Sequence, residues 1–301
     1  MGMQLAVFGA ANTVEAIGED VAAAAALGFP SYWTPQIFGP DALTALALAG
    51  AHTPHIRLGT AVVPVQPRHP MALAQQALTV NQVAAGRLDL GIGLSHQPVV
   101  EGMWGIPFDR PVRYMSDYLA VLMPLLHGEK VSHGGEKVTG RGEIQVRAEA
   151  PPVYVAALGE QMLKLAGRRT DGTVTWMTGS ATIADLTVPT ITAAAAAAGR
   201  AAPRVIAAVP VCLAADEAEI GALRQRAAEE YVVYGQLPSY RAMLDHEGLA
   251  GPADLALIGS IDLIAEGLQR FFDAGATLVV VNTFGSVDQQ VATREAVAAL
   301  L

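Results

Sequence analysis

Ser95, His96, Gln97 and Glu101 stand close together at the end of an apolar run, in RLDLGIGLSHQPVVEGMWGIPFDRPVR, residues 87–113. An imidazole titrates near neutrality, so it can take or give a proton at a reacting atom. The carboxylate of Glu101 offers the same chemistry, or a solvated loop side chain. Gly91 and Gly93 end the run, and glycine at a strand end lets backbone approach a ligand closely. A tight turn with two solvated side chains would use the same residues. The spacing is not that of a dinucleotide fingerprint, because the third position of GxGxxG holds His96. GxxxxGK[ST], HExxH and GxSxG do not occur either.

Other reactive side chains read as structural. Cys212 lies in VPVCLAA and is expected to be a buried strand residue rather than a thiol nucleophile. His69 precedes Pro70 and is expected to cap a helix. His52, His55, His127, His133 and His246 have no partner at metal-ligand spacing, so no metal site is expected.

The elements that must position these groups alternate along the chain. Apolar strands are predicted at 3–8, 29–36, 56–63, 87–93, 152–157, 173–177, 204–214 and 277–284. Helices follow each one. Asn12 and Glu15 form a capping-box pattern, Asp41 caps the next helix, and Pro70 and Pro111 sit in first turns. Residues 128–150 are glycine-rich and charged, with Val138 pairing Ile144 and Val146 in a hairpin around Gly140 and Gly142. Further helices are predicted at 181–198, 216–234, 239–246, 260–274 and 286–301. Strands apolar on both faces belong to a parallel sheet covered on both sides. Eight strand–helix units in 301 residues predict an α/β fold, a closed (β/α)8 TIM barrel with insertions, as one domain spanning 1–301. A doubly wound open sheet is the alternative, disfavoured by the missing phosphate fingerprint.

Composition narrows the partners. Hydrophobic residues make up 52% and charged residues 16%, enough for a large core. A net charge of −9 argues against nucleic acid, which needs a basic face. No apolar stretch nears the roughly 18 residues of a membrane span. The first residues, MGMQLAVFG, lack the charged start of a signal peptide. One cysteine suits a reducing cytoplasm.

RLGTAVVPVQPRHP, GRLDLGIG and ALIGSIDLIAEGLQRFFDAGATLVVVN together resemble the bacterial luciferase-like flavin and deazaflavin oxidoreductases. GLSHQPVVEGMWGIPFDRPVRYM is similar to a subgroup that uses coenzyme F420, a deazaflavin. The resemblance covers nearly the whole chain and is weakest at 128–150 and 185–250. It implies a ring-binding site at the C-terminal mouth of the barrel. The mouth residues would be Trp33 to Ile37, Thr60 to Pro64, Ser95 to Gln97, Ala156 to Gln161, Met177 to Ser180 and Asn282 to Phe284. The cofactor-binding set is then Trp33, Gln36, Thr60, Ala61, Val62, Ser95, His96, Ala157, Leu158, Gly159, Glu160, Gln161, Met177, Thr178 and Gly179. A non-proline cis peptide at Ala61–Val62 would press on the ring; a plain trans strand is the alternative.

The resemblance also implies that Gly159, Glu160 and Gln161 lie beside the cofactor phosphate. A helix start there would offer free N–H groups and a positive dipole, or ordinary capping. Thr178, Gly179 and Ser180 would add donors. His96 and Glu101 are the candidate catalytic residues; His96 is either the proton partner of a hydride transfer or a hydrogen-bond donor to the cofactor. Relatives with a His or Asp soon after strand two differ from SYWTPQIFG here, so Trp33 is expected to wall the pocket instead. Three functions follow: an F420-dependent oxidoreductase acting on a small organic substrate, an FMN-dependent monooxygenase, or a protein that binds flavin or deazaflavin without turnover. A homodimer is expected, through helices rich in small residues at 42–51 and 72–85.

Overall fold

The computed structural model describes residues 2–301. In chain order it runs β1 (Leu5–Phe8), α1 (Val14–Ala26), β2 (Ser31–Thr34), α2 (Ala42–His52), β3 (Arg57–Thr60), β4 (Val63–Pro64), α3 (Pro70–Val83), β5 (Leu88–Gly93), α4 (Gln97–Gly102) and α5 (Pro111–Leu126). The hairpin β6 (Val131–Gly134) and β7 (Thr139–Gly142) follows, then β8 (Val153–Ala156), α6 (Glu160–Arg169) and β9 (Gly172–Trp176). One helical run joins α7 (Ser180–Thr182), a π-helical turn (Ile183–Thr187) and α8 (Val188–Ala197). The chain ends with β10 (Arg204–Leu213), α9 (Glu217–Glu230), α10 (Val232–Gly235), α11 (Pro238–Glu247), β11 (Leu257–Gly259), α12 (Ile261–Asp273), β12 (Leu278–Thr283) and α13 (Val287–Ala298).

Eight parallel positions close on themselves in the order β1, β2, β3 with β4, β5, β8, β9, β10, β12. Closure is set by β1, which pairs with β12 at Leu5↔Val279 and with β2 at Val7↔Tyr32. The fold is a (β/α)8 barrel, and its eight strands fall where the apolar runs predict them. Alternate strand residues separate two cores, as the period of two requires. Ala6, Phe8, Trp33, Tyr154, Val174, Ile206, Ala208, Leu278 and Val280 fill the barrel. Leu5, Val7, Leu58, Leu90, Val153, Val209 and Val281 face the helices. A third cluster of Met177, Cys212, Leu223, Ala227, Tyr231, Tyr240, Met243, Leu244, Leu255 and Phe284 joins α9 and α11 to the strand ends.

The bottom of the barrel is closed by charge. Asp89 is only 1% exposed and accepts from Arg57 Nε at 2.7 Å, Arg57 Nη2 at 3.0 Å and Tyr154 Oη at 3.2 Å. Arg204 donates to Tyr154 Oη at 3.1 Å. Burying a carboxylate is costly unless it is paired and hydrogen-bonded, and these partners offset that cost.

Several local expectations are corrected. The first helix is capped by Thr13, whose hydroxyl accepts from Ala16 N at 3.1 Å, not by Asn12. The hairpin pairs Val131 with Gly142 and Gly134 with Thr139, so Ile144 and Val146 lie beyond it. Its turn comes at Gly135, where a Cβ would stand 2.5 Å from the Asp117 carboxylate. Val131 and Val138 bury themselves in the same core as α5, and this packing outweighs the alternation read from the sequence. The three-residue strand β11 extends β10 outside the barrel and had no signal of its own. Cys212 is fully buried, and burial raises its thiol to about 11. His69 caps α3, accepting from Met71 N at 3.3 Å.

Candidate active site at the barrel mouth

The third barrel strand breaks into β3 and β4 at a cis peptide, Ala61–Val62. Two backbone bonds hold the break against β2: Ala61 N to Thr34 O at 2.9 Å and Gln36 N to Val62 O at 3.3 Å. On the other side Gly91 and Gly93 make room for it. A Cβ on Gly91 would lie 1.9 Å from the Thr60 carbonyl oxygen, and one on Gly93 would lie 2.7 Å from Val62 Cγ2. The Thr60 hydroxyl donates to Gly91 O at 2.8 Å and accepts from Gly91 N at 2.9 Å. These glycines therefore admit neighbouring protein, not a ligand, which corrects the reading of the GxG. Thr60 is fully buried and spends its hydroxyl on β5, whereas Ala61 and Val62 are part-exposed above the barrel core.

Trp33 does not wall the pocket. It is fully buried in the barrel, where its Nε1 donates to Ser31 Oγ at 3.0 Å. Gly59 exists to hold it: a Cβ there would lie 2.2 Å from Trp33 Cδ2. Trp33 thus forms the floor under Ala61 and Val62. Gln36 stands at the rim and caps α2, accepting from Ala42 N at 3.0 Å.

His96 follows the end of β5 at the mouth and starts α4. Ser95 before it takes a left-handed backbone, φ 57°, which turns the chain out of β5 into α4. The His96 ring meets Tyr234 and Tyr240 edge-on, with centroids 6.2 and 6.1 Å away. Burial lowers its pKa below the ordinary histidine value, so it is neutral at pH 7. Glu101 lies one helical turn on and is exposed. Its carboxylate accepts from Gln97 Nε2 at 2.9 Å and from Phe108 N at 3.1 Å, tying α4 to the loop that follows.

The aromatic cover was missed in the sequence. Tyr234 and Tyr240 stand 5.0 Å apart, and Trp176 at the end of β9 meets Tyr231 at 5.9 Å and Tyr234 at 6.1 Å. Phe8 stacks on Trp176 at 5.7 Å. Asn282 Nδ2 donates to Tyr231 Oη at 3.4 Å. Trp176 Nε1 is buried there with no hydrogen-bond partner. A signal was present: EEYVVYGQLPSY, in the segment treated only as helix, holds three of the chain's seven tyrosines. Beside this cover a cleft of about 370 Å³ opens between β1 and β12, lined by residues that include Gly9, Arg226, Asn282 and Gln290.

Two helix starts face the same end of the barrel. Ala157 is buried and Leu158 part-buried at the end of β8; Gly159 then begins α6 with no side-chain cap, and a Cβ on it would meet nothing within 4 Å. Glu160 and Gln161 are exposed, and Lys164 donates to Glu160 Oε1 at 2.5 Å, holding that carboxyl below its usual range. After β9, Met177 takes φ 48°, Thr178 is buried, and Gly179 begins the helical run of residues 180–197, again without a side-chain cap. Unsatisfied N–H groups at the first of these starts suit an anion, whereas at the second Thr182 N already donates to Glu247 Oε1.

The family model described as luciferase-like monooxygenase matches residues 4–278. The chain belongs to that family. Among luciferase-like relatives, the 5,10-methylenetetrahydromethanopterin reductase of Methanolobus tindarius is 29% identical over 242 residues, 80% of this chain and 72% of its own. The F420-dependent glucose-6-phosphate dehydrogenase of Beutenbergia cavernae is 37% identical over 139 residues, 44% of this chain and 41% of its own. The solved structure of the coenzyme F420-dependent tetrahydromethanopterin reductase from Methanopyrus kandleri superposes with a TM-score of 0.84 at 20% identity, covering 100% of this chain and 99% of that one. That likeness is one of fold.

Proposed function

We propose that this luciferase-like protein is a coenzyme F420-dependent oxidoreductase that moves a hydride between the deazaflavin and a small organic substrate. The observation that carries the reading is His96, a half-buried imidazole set edge-on to Tyr234 and Tyr240 at the barrel mouth, where burial lowers its pKa. The names of the two sequence relatives point the same way. The residues fit the group. Gly159 leaves open space at an uncapped helix start for a phosphate, and Trp176 Nε1 is a buried donor with no partner within the protein. Ala61 and Val62 supply an apolar seat above Trp33.

When bound, the deazaflavin supplies or accepts the hydride. A ring nitrogen of His96 takes the proton from the substrate oxygen as the hydride leaves the neighbouring carbon, and returns it in the opposite direction. Being neutral at pH 7, the imidazole is ready as a base. Tyr231, Tyr234 and Trp176 keep water from the reacting atoms and favour an apolar substrate. Glu101 holds α4, and with it His96, in place. Among the described residues no helix is long and apolar enough to cross a membrane.

Oxygen uptake tests the reaction class. Protein loaded with reduced F420 is expected to hand its hydride to an organic acceptor without air. Substrate-dependent oxygen uptake with reduced FMN, and none of that transfer with F420, would replace this reading by the monooxygenase.

A further inference from the structure

The start of the 180–197 helical run is not open. Thr182 N donates to Glu247 Oε1 at 2.5 Å. A Cβ on Gly179 would stand 2.1 Å from Glu247 Cδ, so the carboxylate lies directly on the glycine. Thr178 and Thr182 are each 2% exposed, and the Thr182 hydroxyl is buried with no hydrogen-bond partner. A negative group thus already fills a turn whose N–H groups, small residue and spare hydroxyl suit an anion.

Glu247 is the last residue of α11, the helix whose Tyr240 covers His96. Its neighbour His246 sits 3.3 Å from Asp185 on the same helical run. Met243 and Leu244 bury the middle of α11 in the core over the strand ends. The two ends of α11 therefore touch the two halves of the site, the imidazole at one and the anion turn at the other.

We propose that Glu247 is an internal anion that latches α11 shut, and that a phosphate entering the Gly179–Thr182 turn displaces it and lifts Tyr240 from His96. The phosphate is the cofactor's, shared between this turn and the open Gly159 start after the neighbouring strand β8, so the inference rests on the cofactor reading above. Two anions cannot share one turn without strong repulsion, so entry and release are one exchange. The latch couples cofactor binding to uncovering of the base.

Binding and hydrogen exchange test it on the full chain. Glu247→Gln keeps the shape and removes the charge. It is expected to bind F420 about tenfold more tightly than the native protein. In the native protein, amides of residues 238–247 should exchange faster once F420 is bound. If the native protein binds F420 while Glu247→Gln binds it no better, and exchange at 238–247 does not change, the latch is wrong and the cofactor reading stands. If neither protein binds F420, the cofactor reading fails, and inorganic phosphate decides the latch. Phosphate must then bind Glu247→Gln more tightly than the native chain and speed exchange at 238–247. Equal binding with unchanged exchange would overturn it.

Discussion

Gly91→Ala is the substitution whose cost follows most directly from the geometry. The added Cβ would lie 1.9 Å from the Thr60 carbonyl oxygen, which is backbone and cannot rotate away. Ordinary contact needs a separation greater by roughly 1.5 Å, so β3 and β5 must part. Overpacking of that kind costs about 1–3 kcal/mol. Parting the strands also breaks both hydrogen bonds between Thr60 and Gly91, at 2.8 and 2.9 Å. Each is worth about 1 kcal/mol net. Together the loss is about 3–5 kcal/mol, read as the free energy of unfolding in urea. Gly159→Leu is the contrast. Its Cβ meets nothing within 4 Å, so stability should change by no more than about 0.5 kcal/mol while cofactor affinity falls tenfold or more. A Gly91→Ala loss under about 1 kcal/mol would refute the claim that this glycine is there for the strand break.

Other outcomes follow from the same geometry. His96→Gln should lower kcat about a hundredfold with little change in cofactor affinity, and the native kcat/KM for substrate oxidation should fall as pH drops through a pKa below the ordinary histidine value, since protonation removes the base; a flat profile, or lost affinity with normal turnover, would leave His96 a binding residue. Arg57→Ala should cost about 2–3 kcal/mol in urea denaturation, less than a fully buried pair because Arg57 is 39% exposed; an unchanged midpoint would mean Asp89 is held without it. A dimer is expected by analytical ultracentrifugation. Most small residues of α2 and α3 pack inward, leaving Leu48 and Val83 exposed for a partner; a monomer at micromolar concentration would count against that face.

The eight strands were legible because a parallel barrel buries both faces of each strand, and continuous apolar runs such as PVYVAA have no other use. Cap positions were legible where one residue could serve, as at Asp41, and slipped where Asn12 and Thr13 competed. The site was only half legible. His96 could be found from residue type and place. The partners that decide its chemistry, Tyr234 and Tyr240, lie on helices inserted more than a hundred residues later, and nothing local in the sequence joins them to β5. Gly91 and Gly93 were visible but ambiguous, because a glycine that admits a carbonyl oxygen reads like one that admits a ligand. Trp33 read as a pocket wall because its position at a strand end does not reveal that Gly59 lets it fold into the barrel. Glu247 carried no signal, since the turn it fills is formed by residues 179–182.

A deazaflavin bound at the barrel mouth is the central claim, and parallel titrations of the purified protein with oxidised F420 and with FMN decide it. F420 should bind more tightly than FMN. Its affinity should weaken as salt rises, because its phosphate and acidic tail would be drawn to exposed basic side chains such as Lys164 and Arg168, and salt screens that attraction. Tighter binding of FMN, with F420 affinity indifferent to salt or undetectable, would contradict it.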